Sequence, residues 1–184
     1  ISAQQKQQFE ATFFSLLRVF NDLVTGIDLR KGSNSKEVIA QGRDAFTSFV
    51  REFEHSRNFK SAIMDERSMP RSFSVLEDYE DFYKKHKSDL GHYFRTLYNL
   101  FKYLDGANVK DKRVYANLIR AQLSDDEVYI LFLNGLNERG REKFKRYLER
   151  YSVLKNVDLE SKFVQYAIED AAKLGLAYAP SAFS

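Results

Sequence analysis

Phe9-Glu10-Ala11-Thr12-Phe13-Phe14-Ser15-Leu16-Leu17-Arg18-Val19-Phe20-Asn21-Asp22-Leu23-Val24-Thr25-Gly26-Ile27 decides the fold. Its apolar residues fall at Phe9, Phe13, Leu16/Leu17, Phe20, Leu23/Val24 and Ile27, steps of three and four that put them on one face of a helix. Outward from this stretch the same period recurs. Val38, Ile39, Ala45/Phe46, Phe49/Val50 and Phe53 predict a second helix, opened by Ser35 as N-cap after a loop at Gly26, Gly32, Ser33 and Asn34. Ser56 to Ser74, irregular and holding Pro70, reads as a long connection. Val75 to Asp105 is helical again with a break near Gly91, and Leu90, Phe94, Leu97, Phe101 and Leu104 form its apolar stripe. Further helices are predicted from Lys110 to Leu123, from a capping box at Ser124 and Glu127 to Gly135, from Gly140 to Tyr151, and from Leu159 to Leu174. No run alternates with a period of two, so no strand is expected. The pattern therefore predicts an all-α protein, an irregular bundle of about six or seven helices.

Composition narrows the class. The chain has 184 residues, 43% apolar and 30% charged, enough for one ordinary globular domain. Lys and Arg number 29 against 26 Asp and Glu, and a net charge of +3 does not by itself call for nucleic acid. Without cysteine there can be no disulfide, thiolate zinc site or cysteine nucleophile. The densest apolar run, Phe13 to Leu17, is far short of the roughly 18 residues that a membrane span needs. Beginning on Ile1, the chain reads as a piece of a longer protein, with residues 1–8 a Gln-rich connecting helix, 9–175 a single helical domain and 176–184 a flexible tail.

Several side chains at helical spacing could carry function. His92, Arg95 and Asn99 place an imidazole, a guanidinium and an amide on one helix face, which could bind an anion. Asn117 and Arg120 share a face, and Glu127 and Asn134 lie seven apart on a third helix. A buried Glu127 needs a partner, and Arg95 or Arg120 is the natural one. His92, Arg95, Asn99, Arg120, Glu127 and Asn134 are thus either a buried polar network or the lining of a ligand pocket. A second candidate is basic: Arg139, Arg141, Lys143, Lys145, Arg146, Arg150 and Lys155 gather with Phe144, Tyr147 and Tyr151 between them. This patch could meet RNA, DNA or anionic lipid; equally, it is a solvated helix face over a core of Phe144, Leu148 and Tyr151. Lys84-Lys85-His86-Lys87 is a shorter version.

Catalytic and metal signatures are thin. Glu52 to His55 and Asp89 to His92 each set a carboxylate three residues before a histidine, but a di-iron bundle also needs inward Glu residues on two more helices. No metal or cofactor is expected. The arginine and histidine of helical HEPN-type toxin ribonucleases have four to six residues between them, whereas Arg51 and His55 have three. Phosphate-cradling glycine loops, nucleophile elbows and kinase signatures are absent.

Phe9 to Leu17, His92-Tyr93-Phe94-Arg95-Thr96-Leu97-Tyr98, Tyr115 to Ser124, Glu127, Asn134-Gly135 and Tyr151-Ser152-Val153-Leu154-Lys155-Asn156 form an ordered set of blocks. In these the chain resembles the putative phage abortive infection (AbiC-type) family over roughly residues 9 to 157, with no likeness between Ser56 and Glu77. The resemblance implies a bacterial antiphage role, with two membrane-spanning helices ahead of a Gln-rich connector like Ser2 to Gln8. It implies the cytoplasmic domain of an inner-membrane protein, and it brings no reaction and no catalytic residues. Two functions follow as expectations. One is a non-enzymatic sensor or effector module that binds a phage component, another protein or a second copy of itself; the alternative is a nucleic-acid binder or ribonuclease-like toxin acting through the basic patch.

Overall fold

In the computed structural model, which describes residues 2–30, 37–55 and 74–184, the long apolar stretch forms helix α1 (Ala3–Thr25). Ser2 opens it with a capping box: its hydroxyl accepts from the Gln5 N–H, and its own N–H donates to Gln5 Oε1 at 2.8 Å. Phe9, Phe13, Leu17, Phe20 and Val24 are the buried face, as their spacing predicts.

The chain then departs from the expected helix. Strand β1 (Asp28–Arg30) pairs antiparallel with β2 (Val38–Gln41), matching Asp28 with Gln41, Leu29 with Ala40 and Arg30 with Val38, with an irregularity between Leu29 and Arg30. Gly42, at φ +59°, turns the strand into helix α2 (Arg43–Glu54), and its N–H donates to the Ile27 carbonyl at 2.8 Å. The second helix thus starts at Arg43, because Val38–Gln41 pairs with β1 and the Gly42 conformation ends the strand. Ser35, its expected N-cap, lies outside the described residues, as does the connection at 56–73.

Seven further helices complete the described residues: α3 (Val75–Lys85), α4 (Lys87–Gly106), α5 (Lys112–Arg120), α6 (Asp125–Leu136), α7 (Glu138–Arg141), α8 (Lys145–Arg150) and α9 (Lys162–Lys173), then a 3-10 turn at Pro180–Phe183. The protein is all-α apart from the small hairpin. The expected break at Gly91 falls instead at His86, which caps α3 with φ −106° and ψ 19°; Gly91 is a buried interior residue of α4. Gly140 likewise sits inside α7, whose start is capped by Asn137. Among the described residues no helix is long and apolar enough to cross a membrane.

The chain divides into two compact units, Ile1–Ala45 with Lys87–Ser124, and Phe46–His86 with Asp125–Ser184. In the first unit, α1 packs on α4 and α5 through aromatic rings: Phe9 stacks on Tyr103 at 5.5 Å and meets the edge of Tyr115 at 4.9 Å, and Phe20 lies 5.5 Å from Tyr93. The buried Leu90, Phe94, Leu97, Phe101 and Leu104 line the inner side of α4, as read from the sequence. In the second unit, α6 is apolar nearly all round and buried, as a central helix must be. Asp170 of α9 caps α3, accepting from the Val75 N–H at 2.8 Å and from the Ser74 hydroxyl at 3.3 Å. Residues 176–184, expected as a tail, are folded back here: Tyr178 donates to the Phe132 carbonyl at 2.8 Å, and Ala182 is buried with its carbonyl accepting from the Leu154 N–H.

Candidate functional site

Once α4 has committed one face to the core, the opposite face is fixed. His92, Arg95, Asn99, Lys102 and Gly106 recur at steps of three and four, and all five are exposed. Arg95 and Lys102 form no ion pair among the described residues, so the stripe is an uncompensated cationic and amide surface. The sequence reading finds its first three members; Lys102 continues the same spacing and was legible in principle.

The stripe runs into a cavity of about 750 Å³ between the start of α1, the end of α4 and the loop after it. Gln5, Gln8, Asn99, Lys102, Tyr103 and Asn108 contribute its polar and aromatic walls. A Cβ added at Gly106 would meet nothing within 4 Å, so the mouth is open there. Past Val109 a second hollow of about 310 Å³ holds Lys6, Lys110, Asp111 and Tyr115. Glu10 anchors this end: it accepts from the Tyr115 hydroxyl at 2.6 Å, and that bond, aided by burial, pushes the phenol up to about 12.

The other members of the predicted polar cluster are placed elsewhere. Arg120, half-buried on α5, donates to Asn117 Oδ1 at 3.0 Å, and burial, with Arg113 nearby, lowers its guanidinium. Glu127 and Asn134 belong to the second unit, where both are buried in α6. Asn134 sits against Gly140, where any Cβ would strike its carbonyl oxygen and Oδ1. The six residues are thus shared between the two units, four in the first and two in the second. His92, Arg95 and Asn99 are exposed and do not belong to a buried network.

The basic patch is largely engaged. Arg139 donates to Glu80 at 3.1 Å and lies 5.1 Å over the Tyr83 ring; Lys145 donates to Glu149 at 2.7 Å and to the Ala177 carbonyl. Arg146 and Arg150 lie over the Tyr147 and Tyr151 rings. Burial works to raise Glu80, but hydrogen bonds from Asn137 and Arg139 outweigh it and leave the carboxyl lowered. Phe144, Leu148 and Tyr151 are core residues. Arg141, half-buried, and Lys143, exposed, make no ion pair among the described residues.

One polar centre escaped the sequence reading. His86 is buried, its ring 4.8 Å from Phe49 and 4.9 Å from Phe82, and its Nε2 lies 3.0 Å from Glu52 Oε1, which also accepts from Lys85 at 2.6 Å. The His86 bond, ahead of the opposing effect of burial and with Lys85 assisting, holds the Glu52 carboxyl down at about 2. Glu52 is thereby used within the fold, and the His55 Nδ1 lies 2.7 Å from the Arg51 carbonyl. Among the described residues no three His, Asp or Glu side chains are grouped to hold a metal.

Fold and face together define a helical protein that presents a cationic and amide surface beside an open cavity. Residues 85–162 match the model of the family described as putative phage abortive infection protein. The resemblance is thus established over α4 to α8, and the Phe9–Leu17 block lies outside the matched stretch. No curated protein and no solved structure matches the chain.

Proposed function

We propose that this chain is the cytoplasmic domain of a bacterial abortive-infection defence protein, a sensor or effector module coupled to an inner-membrane anchor upstream. One observation carries the recognition role: the family match covers α4, the helix that holds Arg95, Asn99 and Lys102 exposed beside the cavity. A surface with unneutralised cations suits binding of an anionic or polar partner from the phage, from the host or from a second copy. The membrane anchor rests on the family resemblance alone. The reading assigns the chain no reaction; recognition is passed on as a change of state.

The test is phage plaquing on cells carrying the full-length gene, wild type against Arg95→Ala and His92→Ala, with protein levels matched by blot. Loss of protection at normal abundance is expected, since both side chains are exposed and their removal leaves the core intact. Protection retained in both variants contradicts the assignment of this face.

A second reading, a nucleic-acid-binding or ribonuclease-like toxin, draws on Arg141 and Lys143, patch cations that make no ion pair among the described residues. It requires RNA or DNA binding that weakens steeply with salt. If charge reversal at Lys143, Lys145 and Arg146 leaves nucleic-acid affinity and phage protection unchanged, that reading fails.

A further inference from the structure

We infer that the cavity at the end of α4 is a binding site for a free mononucleotide. Its volume, about 750 Å³, lies within the roughly 300–1,000 Å³ of small-molecule sites. Its wall chemistry selects the class. Four carboxamides, Gln5, Gln8, Asn99 and Asn108, line it, and a carboxamide offers a donor and an acceptor side by side, the arrangement that reads the edge of a heterocyclic base. The Oε1 of Gln5 is taken by the Ser2 N–H, which leaves its amino group as donor. The side chains of Gln8, Asn99 and Asn108 have no hydrogen-bond partner among the described residues.

Tyr103 supplies an aromatic wall already fixed in place, because its ring stacks on the buried Phe9 ring at an interplanar angle of 5°. A preset ring takes a base by stacking at little cost in side-chain entropy. The charge in the walls decides the remaining feature of the ligand. Lys102 is the cation of the lining, no carboxylate is among the lining residues, and it has no ion pair among the described residues. The hollow beyond Val109 adds Lys110 and Lys6, the latter 3.7 Å from Glu10, against one acid of its own, Asp111. An uncharged sugar would leave Lys102 without a counter-charge, and a cationic ligand would meet it with repulsion. A base joined to a phosphate satisfies ring, amides and cation together.

This assignment deepens the sensor reading and rests on it for its biological meaning, but its test needs no phage. Binding of AMP, GMP, CMP and UMP to the purified chain is measured by titration calorimetry, alongside the nucleosides, ribose 5-phosphate and a ten-nucleotide RNA. At least one mononucleotide is expected to bind, about tenfold or more tighter than its nucleoside and than ribose 5-phosphate. Lys102→Gln should remove the advantage over the nucleoside. Gly106→Phe, whose Cβ meets nothing within 4 Å and whose ring is placed at the open mouth, should abolish binding with an unchanged thermal melt. Should Gly106→Phe not fold, Asn108→Ala replaces it, with binding weakened and the melt unchanged. Four results overturn the proposal: no mononucleotide binding at millimolar concentration; equal affinity for nucleotide and nucleoside; binding unaffected by these variants; or binding of the RNA alone, which would indicate a polynucleotide surface. Because nucleotide binding and plaquing are read separately, failure of one leaves the other reading standing.

Discussion

Gly140 shows how one residue fixes local structure. An added Cβ would strike the Asn134 carbonyl oxygen and its side-chain Oδ1, and the backbone oxygen cannot swing away as the tip of a flexible side chain can. Gly140→Ala is expected to cost about 1–3 kcal/mol of stability, measured by urea unfolding, because it overpacks a buried contact. From the sequence, Gly140 read as a helix start, since the contact it serves comes from Asn134 on the preceding helix. The role of Glu52 was hidden for a similar reason. Its neighbour at three residues, His55, suggested a metal half-site, while its partner, His86, stands 34 positions away and becomes visible only when α2 and α3 pack. Its carboxyl is lowered from 4.5 to about 2, so the stabilisation it brings is complete above pH 4.5 and is lost as pH falls toward 2. Glu52→Gln should therefore lower the melting temperature near neutrality and flatten its dependence on pH between 4.5 and 2. An unchanged slope in that window would show that the pair adds nothing to stability.

At the scale of elements, periodicity made the helices legible wherever one face is buried, as in α1 and α4. It failed at Val38–Gln41, where Val38 and Ile39 continue the apolar series toward Ala45 but belong to a strand that pairs with Asp28–Arg30. Strands this short show no alternation, and what separates them from helix is a backbone angle, the φ of +59° at Gly42. Gly42→Ala should cost roughly 1–2 kcal/mol, the penalty of a Cβ in the left-handed region, read by thermal unfolding. The tie between α3 and α9 was invisible too, because a capping carboxylate 95 residues away leaves no local pattern. Asp170→Ala should destabilise the protein by roughly 1.5–3 kcal/mol, since the Val75 N–H loses a charged acceptor in a buried place. Asp170→Asn, which keeps an acceptor there, should recover part of that loss.

Across the whole molecule, charge was easy to see and its neutralisation was not. The basic residues from Arg139 to Arg150 stand out in the sequence, yet Arg139 is answered by Glu80 and Lys145 by Glu149. Arg95 and Lys102, less conspicuous, make no ion pair among the described residues. The cavity beside them was beyond sequence reading, since Gln5 and Gln8 reach it from α1 and Asn108 from a loop 100 residues later. We therefore propose α4 as the recognition helix, within the stretch that matches the abortive-infection family. The most direct test compares two double variants of the full-length gene at matched protein level, Arg95→Ala with Lys102→Ala and Arg141→Ala with Lys143→Ala, by phage plaquing. With recognition on α4, the first pair loses protection and the second keeps it; protection kept by the first pair and lost by the second would contradict that role.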